Sequence, residues 1–248
     1  MRHKNRHQNF SNLKNKKQQP NINLNSLIEL QPLTENQEKF FDFYDEGKHI
    51  VAHGLAGTGK TIIALYKALE DVLDKETPYE KIMIFKNMVQ SYDLGYLKGS
   101  IEDKTGPFEM PYKYIIKKIF DLKTTEETEL FYGRLKAENI LEFNCVSFLR
   151  GATFDNCIML IDEMQNLNGH LLASVITRLG TDTKILFVGD IEQSDLTNPN
   201  EKRGIVDFLH VLHNMPSFGF VEFGIDDIVR SPLTKEFIIT QKALGVKL

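Results

Sequence analysis

Residues 54–61 read Gly-Leu-Ala-Gly-Thr-Gly-Lys-Thr, the G-x-x-x-x-G-K-T spacing of a phosphate-binding loop. An apolar run (Ile50, Val51, Ala52) precedes it, and a helix-like stretch (Ile62, Ile63, Ala64, Leu65) follows. That placement constrains the fold more than the letters do. Such a loop works because it joins a strand to a helix. Its glycines let backbone N–H groups turn inward around phosphate oxygens, and the helix N-terminus adds its positive dipole end. The binding stretch runs through Gly54, Leu55, Ala56, Gly57, Thr58, Gly59, Lys60, Thr61 and Ile62. Lys60 is expected to reach the β- and γ-phosphates of a nucleotide, and the Thr61 hydroxyl to bind Mg²⁺.

Two further strand ends repeat the logic. Cys157-Ile158-Met159-Leu160-Ile161-Asp162-Glu163 is a short apolar run ending in acid, which reads as a central parallel strand with carboxylates at its C-terminal edge. Asp162 is expected to hold Mg²⁺ through water. Glu163 is expected to orient and deprotonate the attacking water. Lys184-Ile185-Leu186-Phe187-Val188-Gly189-Asp190 is another buried-strand run, followed by Ile191-Glu192-Gln193. Ligands of an open parallel sheet bind beyond the carboxyl ends of its strands. Gln193, a neutral amide, suits a sensor of the γ-phosphate or of the attacking water. Asp190 would support either Gln193 or the metal-bound water.

The chain has 248 residues, enough for one well-buried domain, with ordinary globular values of 42% hydrophobic and 26% charged residues. Cys145 and Cys157 both fall in apolar strand-like runs. They read as reduced core residues of a cytoplasmic protein. The histidines show no metal-ligand spacing. No apolar stretch approaches a membrane span, and no signal peptide is visible. Six of the 30 basic residues and none of the 34 acidic ones lie in residues 1–20. Rich in Asn and Gln and poor in apolar positions, residues 1–25 are expected to be a disordered basic arm, either a nucleic-acid contact or a solvated tail.

Residues 26–248 then form one domain. Thr34 is a plausible N-cap, with Gln37 at the third helical position in the capping-box arrangement. Gln37 would serve either as that capping partner or as a contact to an adenine ring. Helices are expected over 61–74, 112–122, 126–137, 171–179, 204–214 and 233–244, and further strands at 82–85, 140–143, 146–148 and 219–223. Residues 91–125 look turn-rich at first, with Gly95, Gly99, Gly106, Pro107 and Pro111. Strands alternating with helices mean an α/β, doubly wound, mostly parallel sheet.

The order of Gln37, the phosphate loop, Asp162-Glu163-Met164-Gln165 and Gly189-Asp190-Ile191-Glu192-Gln193 resembles the first motor domain of superfamily 1 helicases. The chain is more similar still to the PhoH-like ATPase family. That family has runs like Asp93-Leu94-Gly95-Tyr96-Leu97-Lys98-Gly99, Arg150-Gly151-Ala152-Thr153-Phe154, Thr177-Arg178-Leu179-Gly180 and Asp227-Ile228-Val229-Arg230. The resemblance covers residue 30 onward and implies a RecA-like P-loop NTPase core. Two departures stand where nucleic acid would be met. Lys86-Asn87 replaces the usual Arg-Pro, and Ala152 replaces a second arginine after Arg150. Short members are frequent in bacteriophages, which would put this one in the host cytoplasm.

The resemblance implies Mg²⁺-dependent ATP hydrolysis, coupled to remodelling of single-stranded nucleic acid, RNA before DNA, with Lys86 and Arg150 as contacts. The alternative is a protein-interaction module switched by ATP, favoured by the acidic core and the lack of a base-stacking aromatic signature. Phosphoryl transfer also calls for an arginine near the γ-phosphate. Arg178 and Arg230 are the candidates, with Arg203 a weaker one. Supply by a neighbouring subunit would make the assembly a closed homo-oligomeric ring, a hexamer by expectation.

Overall fold

The computed structural model of the chain describes residues 22–87, 101–146 and 151–246. Residues 1–21 of the expected basic arm, the run Asp93–Gly99, Ser147-Phe148 and the candidate Arg150 lie outside the described residues. Ile22 already packs against the core, upstream of the boundary expected at residue 26.

Six strands form a single sheet: β1 (His49–Gly54), β2 (Lys81–Lys86), β3 (Leu141–Cys145), β4 (Cys157–Ile161), β5 (Thr183–Gly189) and β6 (Phe218–Phe223). They lie in the order β3-β2-β4-β5-β1-β6, and every pairing is parallel. Among the described residues α1 (Glu35–Asp45) precedes β1, α2 (Lys60–Leu73), α3 (Ile101–Ile119), α4 (Thr125–Ala137), α5 (Gly169–Ile176) and α6 (Pro199–His213) lie between strands, and α7 (Pro232–Ala243) follows β6.

The strands read as near-continuous apolar runs because both sheet faces are covered. Side chains alternate between the two layers. In β4, Ile158 and Leu160 join the core beneath α1 to α4, while Cys157, Met159 and Ile161 join the core beneath α5 and α6. The first core holds Phe40, Tyr44, Leu65, Tyr112 and Phe131. The second holds Leu172, Val175, Phe208 and Leu212. α7 buries none of its residues. Among the described residues no helix is long and apolar enough to cross a membrane.

This strand order positions the site. β5 lies between β4 and β1, so their three carboxyl ends are neighbours. β1 is also paired with β6, whose end crowds the start of the loop. Gly54 takes φ 116°, and a Cβ there would stand 2.2 Å from the carbonyl oxygen of Phe223. Only glycine passes that point.

Two local expectations are corrected. Gly106, Pro107 and Pro111 lie inside α3, not in a turn-rich stretch before it. The prolines are four apart, so the donor missing at Pro111 is the one that would reach the carbonyl of Pro107. Burial of Tyr112, Ile116 and Ile119 outweighs that loss. The second correction concerns the strand expected at 140–143, which starts at Leu141 and continues to Cys145 as β3; Val146 lies just past it, and the rest of the strand expected at 146–148 falls outside the described residues.

Candidate nucleotide site

Residues 54–61 turn from β1 into α2, with Lys60 as the first helical residue. The Lys60 ammonium is buried and folded back on its own loop. It donates to the carbonyls of Gly54 (2.8 Å) and Leu55 (2.6 Å) and to Thr58 Oγ1 (3.2 Å). Burial lowers its pKa, against the pull of Asp190, Glu163, Asp162 and Asp227. Thr58 Oγ1 donates in turn to the Leu55 carbonyl (3.0 Å). Leu55 is buried, whereas Ala56 is exposed and Ile62 half-buried.

Thr61 and Asp162 meet. Thr61 Oγ1 donates to Asp162 Oδ1 (3.3 Å), and the Glu163 N–H donates to the same oxygen (3.1 Å). Asp162 Oδ2 accepts from the buried Tyr112 hydroxyl at 2.7 Å. Burial raises the Asp162 pKa, and the Tyr112 hydrogen bond opposes it. Burial, then the charge of Asp162, pushes the Tyr112 hydroxyl well above its ordinary value.

Glu163 follows in the left-handed region, at φ 54° and ψ 44°, uncommon for a residue with a Cβ. Its Oε2 accepts from Gln165 Nε2 at 2.5 Å, and Gln165 Oε1 accepts from the Asp190 N–H at 3.0 Å. The buried Gln165 therefore ties the end of β4 to the end of β5. Gln193 lies just beyond, in the 3₁₀ turn Ile191–Gln193, with its side chain exposed. Asp190 Oδ1 accepts the Glu192 N–H (3.1 Å). Asp190 Oδ2 is buried with no protein partner among the described residues. Burial raises the Asp190 pKa.

Sequence reasoning does not single out Tyr112 or Gln165 as site residues. For Gln165 the available signal is its place in the run after Asp162-Glu163. For Tyr112 there is none, since it reaches Asp162 from 50 residues away.

The arginines separate. Arg230 lies on its own loop: the Val229 N–H donates to the Gly57 carbonyl (3.1 Å), and a Cβ on Gly57 would stand 2.8 Å from Arg230 Cγ. Gly57 also has φ 78°, so a side chain there meets both strain and that arginine. Arg178 sits after α5 and before the start of β5, hence at the opposite edge of the sheet from its own loop. Its Nε is buried without a partner among the described residues. Arg203 makes a loose surface pair with Asp207 (3.9 Å) on α6. Lys86 closes β2 at the same sheet edge as Asp162, whose charge it favours.

Gln37 is buried in α1 and donates to the Thr58 carbonyl. Beside it, Asp227 Oδ2 accepts from Asn36 Nδ2 and from the Gly224 N–H, both at 2.8 Å. A cavity of about 80 Å³ opens between His53, Gly54, Asp190 and Phe223. A larger cavity, about 620 Å³, lies between α5 and α6 and contains none of these groups. The charged and polar groups described above gather at the strand ends instead.

The family description "PhoH-like protein" matches residues 29–241. The chain belongs to the PhoH-like family. A PhoH-like protein of Mycobacterium leprae is 26% identical over 210 residues, covering 84% of this chain and 57% of that protein. Protein PhoH of Escherichia coli (strain K12) is 30% identical over 201 residues, 80% of this chain and 54% of that one. The chain thus spans about half the length of the curated relatives it matches. Among solved structures, the large terminase of a thermophilic bacteriophage superposes with a TM-score of 0.52 at 14% identity, over 86% of this chain and 50% of that one. The likeness is one of fold. This PhoH-like chain has the RecA-like α/β fold of P-loop NTPases.

Asp227 also gives the site an acid-sensitive fastening. Burial alone would raise its pKa, but hydrogen bonds from Thr34, Asn36 and Gly224 outweigh burial and hold it below the usual aspartate value. A depressed folded pKa adds stability above the unfolded value, and that stability is lost as pH falls through the folded one. Below about pH 4, the urea midpoint of the wild type should fall more steeply than that of Asp227→Asn. Parallel acid limbs would remove this role.

Proposed function

We propose that this PhoH-like chain binds and hydrolyses ATP with Mg²⁺ and couples the cycle to single-stranded nucleic acid, RNA in the first place. The observation that carries the ATPase reading is the contact of Thr61 Oγ1 with Asp162 Oδ1, directly beside a lysine-bearing phosphate loop. A hydroxyl and a carboxylate are hard oxygen donors. They suit Mg²⁺, which keeps several waters and takes its remaining ligands from phosphates. Among the described residues no group of three or more His, Cys, Asp or Glu is set to hold an ion alone. Thr61 and Asp162 would hold the ion, and it would supply positive charge that neutralises the phosphates.

The chain's own residues divide the rest of the work. Lys60 exchanges its three loop acceptors for β- and γ-phosphate oxygens. Tyr112 fixes Asp162 Oδ2, which leaves Oδ1 directed at Thr61. Glu163, held by Gln165, takes the proton of the attacking water, and Gln193 orients that water or the γ-phosphate. Lys86, at the same sheet edge, would meet a polynucleotide.

Lys60→Ala should weaken ATP binding by roughly 100-fold. Glu163→Gln should bind as the wild type and turn over about 10²–10⁴-fold more slowly. Equal turnover in Glu163→Gln would remove Glu163 from the base role. Rates measured with and without single-stranded RNA test the coupling, and a rate indifferent to RNA and DNA would favour the interaction-module reading. Tyr112→Phe removes only the donor to Asp162, so the Mg²⁺ concentration for tight ADP binding should rise about tenfold. An unchanged Mg²⁺ requirement would make Tyr112 a packing residue.

The arginine at the γ-phosphate has two possible sources. Arg230 lies on its own loop and fits supply within one chain. Arg178 would serve only a neighbouring subunit, in a head-to-tail ring such as a hexamer. Mixing Lys60→Ala chains with Arg230→Ala chains should restore no activity if Arg230 acts on its own loop. Recovery on mixing Lys60→Ala with Arg178→Ala would assign the role to the neighbour's arginine.

A further inference from the structure

Gln37 is 3% exposed and bonded at both ends of its amide. Oε1 accepts the Leu33 N–H at 2.9 Å, and Nε2 donates to the Thr58 carbonyl at 2.9 Å. The preceding loop carbonyl, that of Gly57, accepts the Val229 N–H at 3.1 Å. Two consecutive carbonyls of the phosphate loop are therefore held from outside. The two clamps are themselves joined, because Asn36, next to Gln37, bonds Asp227, two residues before Val229.

The peptide bonds of the described residues are trans. Across a trans peptide the carbonyl of one residue and the N–H of the next point in opposite directions. Holding the Gly57 and Thr58 carbonyls outward turns the N–H groups of Thr58 and Gly59 inward. Neither N–H donates to a protein acceptor among the described residues. Inward N–H groups on successive residues form an anion-binding concavity.

An amide that reads a base keeps a donor and an acceptor waiting for it. Those groups go unpaired with the wrong ring, and that is the origin of strong polar discrimination. Gln37 has both of its polar atoms paired inside the protein. The capping-box geometry is also displaced by one residue, to the N–H of Leu33 from that of the N-cap Thr34. The side chain is thereby drawn toward the loop.

We infer that Gln37 is a positioning residue of the phosphate loop. Through the Thr58 carbonyl it aims the Gly59 N–H at the phosphates, and its contribution falls alike on every nucleoside di- and triphosphate, whatever the base. The inference rests on the nucleotide-binding reading of the site.

The test is calorimetric binding of ADP, GDP and inorganic pyrophosphate to the wild type, Gln37→Met and Gln37→Glu. Methionine keeps the length and loses both hydrogen bonds. Glutamate keeps an acceptor for Leu33 and loses the donor to Thr58. Both variants should bind all three ligands about tenfold more weakly, with the ratio of ADP to GDP affinity unchanged. A loss confined to ADP, with pyrophosphate binding intact, overturns the inference and makes Gln37 a base reader. Full affinity for all three in a folded variant also overturns it. In the wild type, the Gln37 side-chain amide resonance should respond equally to ADP, GDP and pyrophosphate. A response to ADP alone overturns the inference even if neither variant folds. A wild type that binds none of the three ligands defeats the nucleotide-site reading, which is a separate failure.

Discussion

A single carboxylate, that of Asp162, sets the positions of the elements around it. Removing it from water is costly unless hydrogen bonds take the place of hydration. Three donors do so, and they come from three parts of the chain: the first turn of α2 (Thr61), the middle of α3 (Tyr112) and the backbone just past β4 (Glu163). Moving any of these elements away leaves a buried charge underpaired. The electrostatic need of one side chain therefore fixes the spacing between the phosphate loop, the central strand and the helical layer above the sheet.

The next residue shows how the strand end is kept exact enough for chemistry. Glu163 adopts a left-handed backbone that costs about 1–3 kcal/mol for a residue with a side chain. Gln165 offsets this by bonding the Glu163 carboxylate and the backbone of Asp190 at once. The turn after β4 and the turn after β5 are thus one unit. A shift in the turn after β5 is felt at the Glu163 carboxylate through a single amide.

What is legible in the sequence follows a physical pattern. The strand ends at Gly54, Asp162 and Asp190 are readable because an apolar run that stops at a polar residue is a local signal, and a parallel sheet gathers such stops at one edge. Within α3 the local signal points the wrong way. Gly106, Pro107 and Pro111 are breakers by propensity, and only the packing of Tyr112, Ile116 and Ile119 overrules them. Tyr112 itself is invisible as a site residue because its partner is distant in sequence. Arg230 and Arg178 look equivalent as motif arginines. The return of the chain after β6 puts Arg230 on the loop, and the direction of α5 takes Arg178 to the far edge. Such choices depend on topology, which no window of residues contains.

The three hydrogen bonds that Lys60 makes to its own loop bear on how the site exchanges its contents. The ammonium has acceptors at hand before an anion arrives and after it leaves. On the proposed reading, departure of a phosphate is a swap of ligands around a cation that is never bare, so the transition need not expose an unsolvated charge. The loop acts as an internal counterpart to the water shell that an isolated lysine would have to rebuild.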